Sequence, residues 1–187
     1  MTTQDDILAK LTAQEQFVYH RTDILFTTFD LGKTEVGLHV AGFEQSMHAD
    51  VCKRLDSSDK TIIWKIDFHP RKLIRLNDRH EWTANNVARD LHSLGVLDTD
   101  EYDKIRYQPK NEIPSRSEIL RSILSTKGID GIVYLDKVET PSTYLTGWLG
   151  KSDEKFRKRF PDAEDSFIIT NLQRVRSAIP FIVDESI

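Results

Sequence analysis

The chain has 187 residues and a formal net charge of −4, with 39% hydrophobic and 30% charged residues. This composition is typical of a folded globular protein that is long enough to bury a sizeable core, and it excludes disordered and fibrous chains. Because there is no overall basic field, binding of nucleic acid would require a local basic patch.

Redox and targeting signals are sparse in this sequence. Cys52 is the single cysteine, so it permits no internal disulfide and fits a reducing compartment. The first residues, "MTTQDDILAKL", lack the apolar centre of a secretory signal, and no stretch approaches the roughly 18 apolar residues of a membrane span. We therefore expect a cytoplasmic protein, with no membrane partner, or an exported effector that acts in a host cytoplasm.

Short apolar runs bounded by turn residues predict the strands. In chain order they are 17–20, 36–41, 61–68, 73–76, 131–135, 166–170 and 178–183. Pro180 lies in the last run and has no amide hydrogen, which predicts an edge strand or an irregular end.

Helices are predicted between these strands. Apolar residues recur at every fourth position in the first, at Phe43, Met47, Val51 and Leu55. Residues 81–94 carry a weaker helical pattern. The strongest pattern covers 115–128, "SRSEILRSILSTKG", with Ser115 or Ser117 as the N-terminal cap and Gly128 at the C-terminal end. Because helices and strands are interspersed without a regular strand–helix alternation, we expect an α+β domain with mostly antiparallel pairing.

A long connection covers residues 136–165, and "SDEKFRKRF" within it predicts a short basic helix capped by Ser152. An exposed amphipathic helix in a loop is the simpler interpretation. The alternative is that its basic side chains grip an acidic partner or a nucleic-acid backbone.

Four stretches carry motifs in a fixed order and together span most of the chain. They are "VYHRTDILFTTFD" (18–30), "GLHVAGFEQSMHA" (37–49), "KGIDGIVYLDKVE" (127–139) and "DSFIITNLQRVRSA" (165–178). With them the chain resembles the ADP-ribosyltransferase superfamily, and more closely the small transferase-like domains of phage, prophage and polyvalent bacterial proteins. Those domains carry "YHGT", "FTxFD", "GLHF", "KGYDGIVYxNxxE" and "DSYIVFDPxQIKSA" at the corresponding places.

The resemblance implies one domain over residues 1–187 with an ADP-ribosyltransferase-like fold. Such a fold has two packed, mostly antiparallel sheets, a split β-sandwich, flanked by helices. The implied reaction consumes NAD and breaks the bond between nicotinamide and ribose. Positive charge develops on the ribose as that bond stretches, so a nearby carboxylate lowers the barrier. No metal is implied, and the scattered histidines show no spacing suited to metal ligands.

The resemblance assigns the NAD contacts to the first two motifs. His20 is expected to donate to a ribose hydroxyl, with Thr22 beside it, although a strand-end histidine can instead bond to backbone. Arg21 replaces the glycine of the family motif and could pair with the diphosphate or point to solvent. His39 could stack on the ligand or donate to it, or pack in the core. Phe43 could wall the nicotinamide, with core packing as its default role.

The catalytic acid is less well marked. The glutamate that opens the corresponding strand in the poly-ADP-ribosylating branch aligns with Ser166. Two acids remain, and we favour Glu139, which follows the "DGIVYLDKV" strand, with Asp165 second.

The resulting hypothesis is an NAD-dependent ADP-ribosyltransferase, in the glycosyltransferase class, that modifies a macromolecular acceptor. We favour a protein acceptor over nucleic acid, and a phage or bacterial effector or toxin as the setting. A non-catalytic binding or inhibitor module on the same fold is the alternative, motivated by Ser166. An NAD glycohydrolase is a third possibility, and RNA-end phosphate transfer ranks low.

Overall fold

Seven strands form the framework of the computed structural model, which describes residues 17–22, 25–48, 61–79, 81–137, 151–161 and 163–183. The strands are β1 (Phe17–Thr22), β2 (Leu38–Val40), β3 (Thr61–Phe68), β4 (Leu73–Arg75), β5 (Gly131–Leu135), β6 (Asp165–Ile169) and β7 (Val175–Val183). Each corresponds to a predicted apolar run, and the bounds of β3 and β5 are those that the sequence predicts.

The strands form two sheets. One has three strands in the order β1-β3-β7, and the other has four in the order β2-β6-β5-β4. All ladders are antiparallel except that between β4 and β5, so the predicted α+β class with two mostly antiparallel sheets is confirmed. Pro180 lies on β7, an edge strand, opposite Trp64 of β3. Its missing amide hydrogen costs no ladder bond on the outer side of β7.

The helices are α1 (Phe43–His48), α2 (Ala84–Ser93), α3 (Thr99–Arg106), α4 (Arg116–Thr126) and α5 (Asp153–Arg159). Ser115 caps α4, with Glu118 completing a capping box, and Gly128 follows at φ 69°, a left-handed conformation that favours glycine. The sequence did not predict α3, because only Ile105 in this helix is buried. The part of the first predicted helix beyond residue 48 lies outside the described residues.

Two apolar layers separate the elements. Between the sheets lie side chains of alternate strand positions, including Val18, Trp64, Leu38 and Phe167. On its other face the four-stranded sheet packs against α2, α3 and α4. Residues 132 and 168 face these helices, whereas their neighbours 133 and 167 face the other sheet, as the period of two in a strand requires.

The basic helix α5 begins after the cap that the sequence predicts, because the Ser152 hydroxyl accepts from the backbone of Lys155. Phe156 is buried against Leu135 and Ala163, which seats the helix beside the ends of β5 and β6. The remainder of the predicted connection, 138–150, lies outside the described residues. None of the helices described here is long and apolar enough to cross a membrane.

Candidate functional site

The two sheets meet at β1 and β2. Tyr19 and Ala41 exchange backbone hydrogen bonds of 2.8 and 3.0 Å, and this bridge is isolated rather than part of a ladder. On the next residue of β1, the Nδ1 atom of His20 lies 2.8 Å from the backbone oxygen of His39. The imidazole therefore spans the two strands beside the point where the sheets part.

The protonation of His20 follows from that contact. A carbonyl oxygen only accepts, so Nδ1 carries the proton and donates it to His39. Burial lowers the pKa of His20, and the bond to the His39 carbonyl opposes that shift only in part. At neutral pH the ring is therefore uncharged and Nε2 is an acceptor. A ribose hydroxyl would donate to His20, the reverse of the direction that the sequence suggested.

Aromatic rings surround the imidazole. The centroids of Phe26 and Phe29 lie 6.4 and 6.2 Å from that of His20, and Phe26 stacks on Trp64 at 4.7 Å. Trp64 lies directly opposite His20 in the ladder between β1 and β3. Its Nε1–H is buried and has no hydrogen-bond partner, an unusual state for an indole in a protein interior. A carbonyl oxygen on a bound molecule would satisfy this donor.

The other residues predicted near His20 divide between two faces of β1. Thr22 shares the face of His20, since side chains two positions apart lie on the same side of a strand. Arg21 follows Tyr19 on the opposite face. Phe43 lies there too, with its ring edge-on to Tyr19 at 5.2 Å. The structure therefore brings Thr22 and His39 to His20, and it does not bring Phe43 there.

His39 has its own aromatic and polar neighbours on the helix-facing side of the four-stranded sheet. Its Nδ1 lies 3.3 Å from the hydroxyl of Tyr134, and its ring is edge-on to Trp82 at 6.1 Å. Burial lowers the pKa of His39 to about 4, with the neighbouring His20 adding to the shift. His39 is therefore neutral at physiological pH and can accept or donate through its ring nitrogens.

Ser166 occupies the centre of this face. It lies directly opposite Tyr134 in the ladder between β5 and β6, so both side chains point toward the helices. Ser166 is 2% exposed, and its Oγ atom has no hydrogen-bond partner. An unsatisfied buried hydroxyl is costly unless a ligand or water completes its hydrogen bonds.

Two carboxylates continue the face beyond Tyr134. Asp136 follows two residues later, and Asp78 follows β4, the parallel neighbour of β5. The backbone N–H of Lys137 donates to Asp78 at 2.7 Å, which ties the two strand ends together. Both aspartates are buried, at 5% and 6% exposure. Burial raises the pKa of Asp78 to about 7; the Lys137 bond opposes this shift and the charge of Asp136 adds to it.

These side chains lie on a diagonal across the helix-facing side of the four-stranded sheet, from His39, which is level with Ile168 and Ile132, to the residues that follow β5 and β4. We call it the cross-strand row, and in the order of the strands it consists of His39, Ser166, Tyr134, Asp136 and Asp78. Sequence reasoning identified His39 and noted Ser166, but it missed the other members. The alternation of Tyr134 and Asp136 around a buried Leu135 was the available signal.

The predicted acids stand apart from the cross-strand row. Asp165 alternates with Ser166, so it lies on the other side of β6. Its two oxygens accept from Arg75 at 2.6 Å and from Arg157 at 2.8 Å, and Arg75 also contacts Asp153 of α5. These ion pairs fasten α5 to the sheet. Glu139, the acid that the sequence favoured, lies outside the described residues.

No group of three metal-ligating side chains occurs among the residues that the structure describes. Comparisons of the chain with protein-family models, with curated proteins and with solved structures gave no match. The chemistry of the site must therefore be inferred from its own residues.

Proposed function

We propose that this protein is an NAD-dependent ADP-ribosyltransferase of the ADP-ribosyltransferase-like fold, acting on a macromolecular acceptor. The observation that carries the proposal is the hydrogen bond from the His20 imidazole to His39, between the two strands that carry the first two family-like motifs. A histidine fixed between diverging sheets, flanked by aromatic rings, suits a ligand with ribose hydroxyls and a flat ring.

An unsatisfied group beside His20 supports a polar ligand. The indole N–H of Trp64, which lies opposite His20 in the ladder between β1 and β3, lacks an acceptor. A carboxamide oxygen is an acceptor of the required kind. NAD carries one, whereas an apolar ligand would leave this donor unpaired.

The reaction needs two contributions from the chain. The first is orientation: Nε2 of His20 accepts from a ribose hydroxyl, and the hydroxyl of Thr22 adds a second polar contact beside it. The second is a negative charge close to the ribose carbon whose bond to nicotinamide breaks. Nicotinamide leaves with the bonding electron pair, and the acceptor supplies the pair for the new bond.

The acceptor is expected to approach near α5. Lys155, Lys158 and Arg159 on this helix are exposed, while Arg157 is engaged with Asp165. The exposed side chains form a local basic surface on a chain of net charge −4. An acidic protein surface is the complementary acceptor.

Labelled NAD incubated with the protein and a host-cell extract tests the proposal. The expected result is label on a macromolecule, with nicotinamide released in equal amount, and a fall of about tenfold to 100-fold in both rates in His20→Ala. Nicotinamide release without an extract would instead identify a glycohydrolase. Absence of both release and transfer would overturn the proposal and favour the non-catalytic binding module.

A further inference from the structure

Four rings lie together between the two sheets. Trp64 is directly opposite His20 in the ladder between β1 and β3, and directly opposite residues share one face of a sheet. Phe26 and Phe29 pack on this face from the segment that follows β1. Neighbouring ring centroids are 4.7 to 6.4 Å apart. We call these residues the four-ring cluster, and a single ligand beside His20 can reach all of it.

The indole of Trp64 has a donor that the protein itself does not use. The residue is 5% exposed, and its Nε1 atom has no hydrogen-bond partner. The ring of Phe26 stacks on this indole at 4.7 Å, with the two planes 12° apart, and a phenyl ring carries no carbonyl oxygen or other lone pair to accept the bond. A buried donor without an acceptor is costly. A flat ring that carries a carbonyl oxygen would keep the stacking and satisfy the donor.

Phe26 and Phe29 are held differently. Phe29 precedes Asp30, whose carboxylate accepts a backbone N–H at 2.8 Å and caps the single-turn helix that follows. Phe26 lies between Leu25, which is 61% exposed, and Thr27, which is also exposed. Of the two rings, Phe26 is therefore the one that can leave its position without disturbing a capped turn.

The charge of the four-ring cluster suits the nicotinamide group of NAD. This group is a pyridinium cation while it is joined to ribose, and the faces of aromatic rings attract cations. Burial lowers the pKa of His20, so the imidazole is uncharged at neutral pH and does not repel the pyridinium. A cationic flat ring with a carboxamide thus matches the cluster in shape, charge and hydrogen bonding.

Resting on the function proposed above, we propose that Trp64 is a specificity-determining residue that recognises the carboxamide, and that Phe26 holds the place of the nicotinamide ring. On binding, nicotinamide takes the position of the Phe26 ring on Trp64, and its carboxamide oxygen accepts from the indole N–H. The Phe26 centroid lies 6.4 Å from that of His20, so a ribose attached to a ring at this position comes within reach of the imidazole.

A titration of the full chain with nicotinamide, followed through the indole N–H signals in NMR spectra, tests the inference. The chain has three tryptophans, and Trp64→Phe and Trp82→Phe assign two of the signals. Trp82 packs on Tyr134 on the helix-facing side of the other sheet, so Trp82→Phe is the matched control. Nicotinamide should shift the Trp64 signal downfield and leave the Trp82 signal in place.

Thionicotinamide is the matched probe, because a sulfur atom replaces the carboxamide oxygen and accepts hydrogen bonds weakly. The wild type and Trp82→Phe should bind nicotinamide about fivefold to tenfold more tightly than thionicotinamide. Trp64→Phe keeps an aromatic ring and removes the N–H, so it should lose this preference. The ratio of the two affinities is measured within each variant, and changes in packing affect both probes alike.

A second variant tests the place-holding role of Phe26. Phe26→Ala should bind nicotinamide at least about threefold more tightly, because the ligand no longer has to displace a ring. Leu25→Ala, in the same segment, is the control and should bind as the wild type does. Thermal unfolding identifies any variant that does not fold, and the wild-type comparison of the two probes depends on no variant.

The outcomes distinguish the inference from the proposed function. If the wild type releases no nicotinamide from NAD but added nicotinamide shifts the Trp64 signal, the function fails and the binding site stands. If the wild type is active but the Trp64 signal does not shift, or Trp64→Phe keeps the preference for nicotinamide, the inference is overturned and the function stands. Equal or weaker binding in a folded Phe26→Ala overturns the role of Phe26.

Discussion

The Nδ1–H of His20 donates to the backbone oxygen of His39 across 2.8 Å, and this bond links the two sheets next to their isolated bridge. It fixes the ring orientation and its tautomer together. The only ring nitrogen left for a ligand is Nε2, which accepts. The role proposed for His20 depends on this geometry.

Replacing His20 should weaken catalysis more than it weakens the fold. His20→Ala removes one ribose contact and the orienting bond, which predicts a loss of about tenfold to 100-fold in kcat/KM for NAD. His92→Ala is the matched control. His92 stacks on Tyr102 between α2 and α3, so this variant should keep full activity. Equal activity in both variants would remove His20 from the site.

Asp78 makes stability fall as pH rises. Its pKa is about 7 in the folded chain against 3.8 as the ordinary value, so the folded state keeps a proton that the unfolded state has released. The free energy of unfolding therefore falls by about 4 kcal/mol as the pH rises from about 4 to about 7. Asp78→Asn should abolish this dependence, which urea unfolding at several pH values would measure. An unchanged pH profile would contradict the assignment.

His39 acts in the opposite direction over nearly the same range. Its pKa is about 4 in the folded chain against 6.5 as the ordinary value, so the unfolded state binds the proton first as pH falls. The free energy of unfolding therefore falls by about 3 kcal/mol as the pH is lowered from about 6.5 to about 4. His39→Phe keeps only the Asp78 dependence and should become less stable as the pH rises over this window. Asp78→Asn keeps only the His39 dependence and should become more stable. Parallel slopes in the two variants would be inconsistent with these shifts.

Asp165 is expected to matter for stability and little for chemistry. Asp165→Asn loses the charge that Arg75 and Arg157 share, and this loosens α5. Charge-assisted bonds of this exposure predict a loss of about 1–3 kcal/mol in the free energy of unfolding. Nicotinamide release at a temperature where the variant is folded should be near the wild-type rate. A large fall in release with an unchanged melting temperature would return Asp165 to the active site.

Asp130 is a structural acid, and its removal should be more damaging to the fold. Its side chain is 3% exposed and accepts from the backbone N–H of Arg71 at 2.8 Å, from Asn171 at 2.8 Å and from Arg174 at 3.0 Å. Asp130→Ala leaves these donors without their acceptor, which predicts a loss of about 3–5 kcal/mol in the free energy of unfolding. Chemical denaturation would measure it, and a loss under about 1 kcal/mol would show that water replaces the carboxylate.

The strand framework could be predicted because its signals are local. The run at 61–68 is bounded by polar residues, and Ser115 and Gly128 mark both ends of α4. Helix α3 has a capping box between Asp98 and Glu101, but it has little apolar pattern because Ile105 is its only buried side chain.

The site was harder to predict because it depends on register. Nothing in the sequence alone shows that Ser166 pairs with Tyr134, or that β4 runs parallel to β5 and brings Asp78 to residue 137. The same pairing places Asp165 on the other face of β6, beside Arg75. A single-residue alternation thus separates the buried row around Ser166 from a structural ion-pair network.

A structure of the protein with bound NAD would test the central claim most directly. We predict that the nicotinamide ribose lies beside His20, with a ribose hydroxyl donating to Nε2 of His20. NAD bound on another surface, with its ribose hydroxyls out of reach of His20, would contradict this claim.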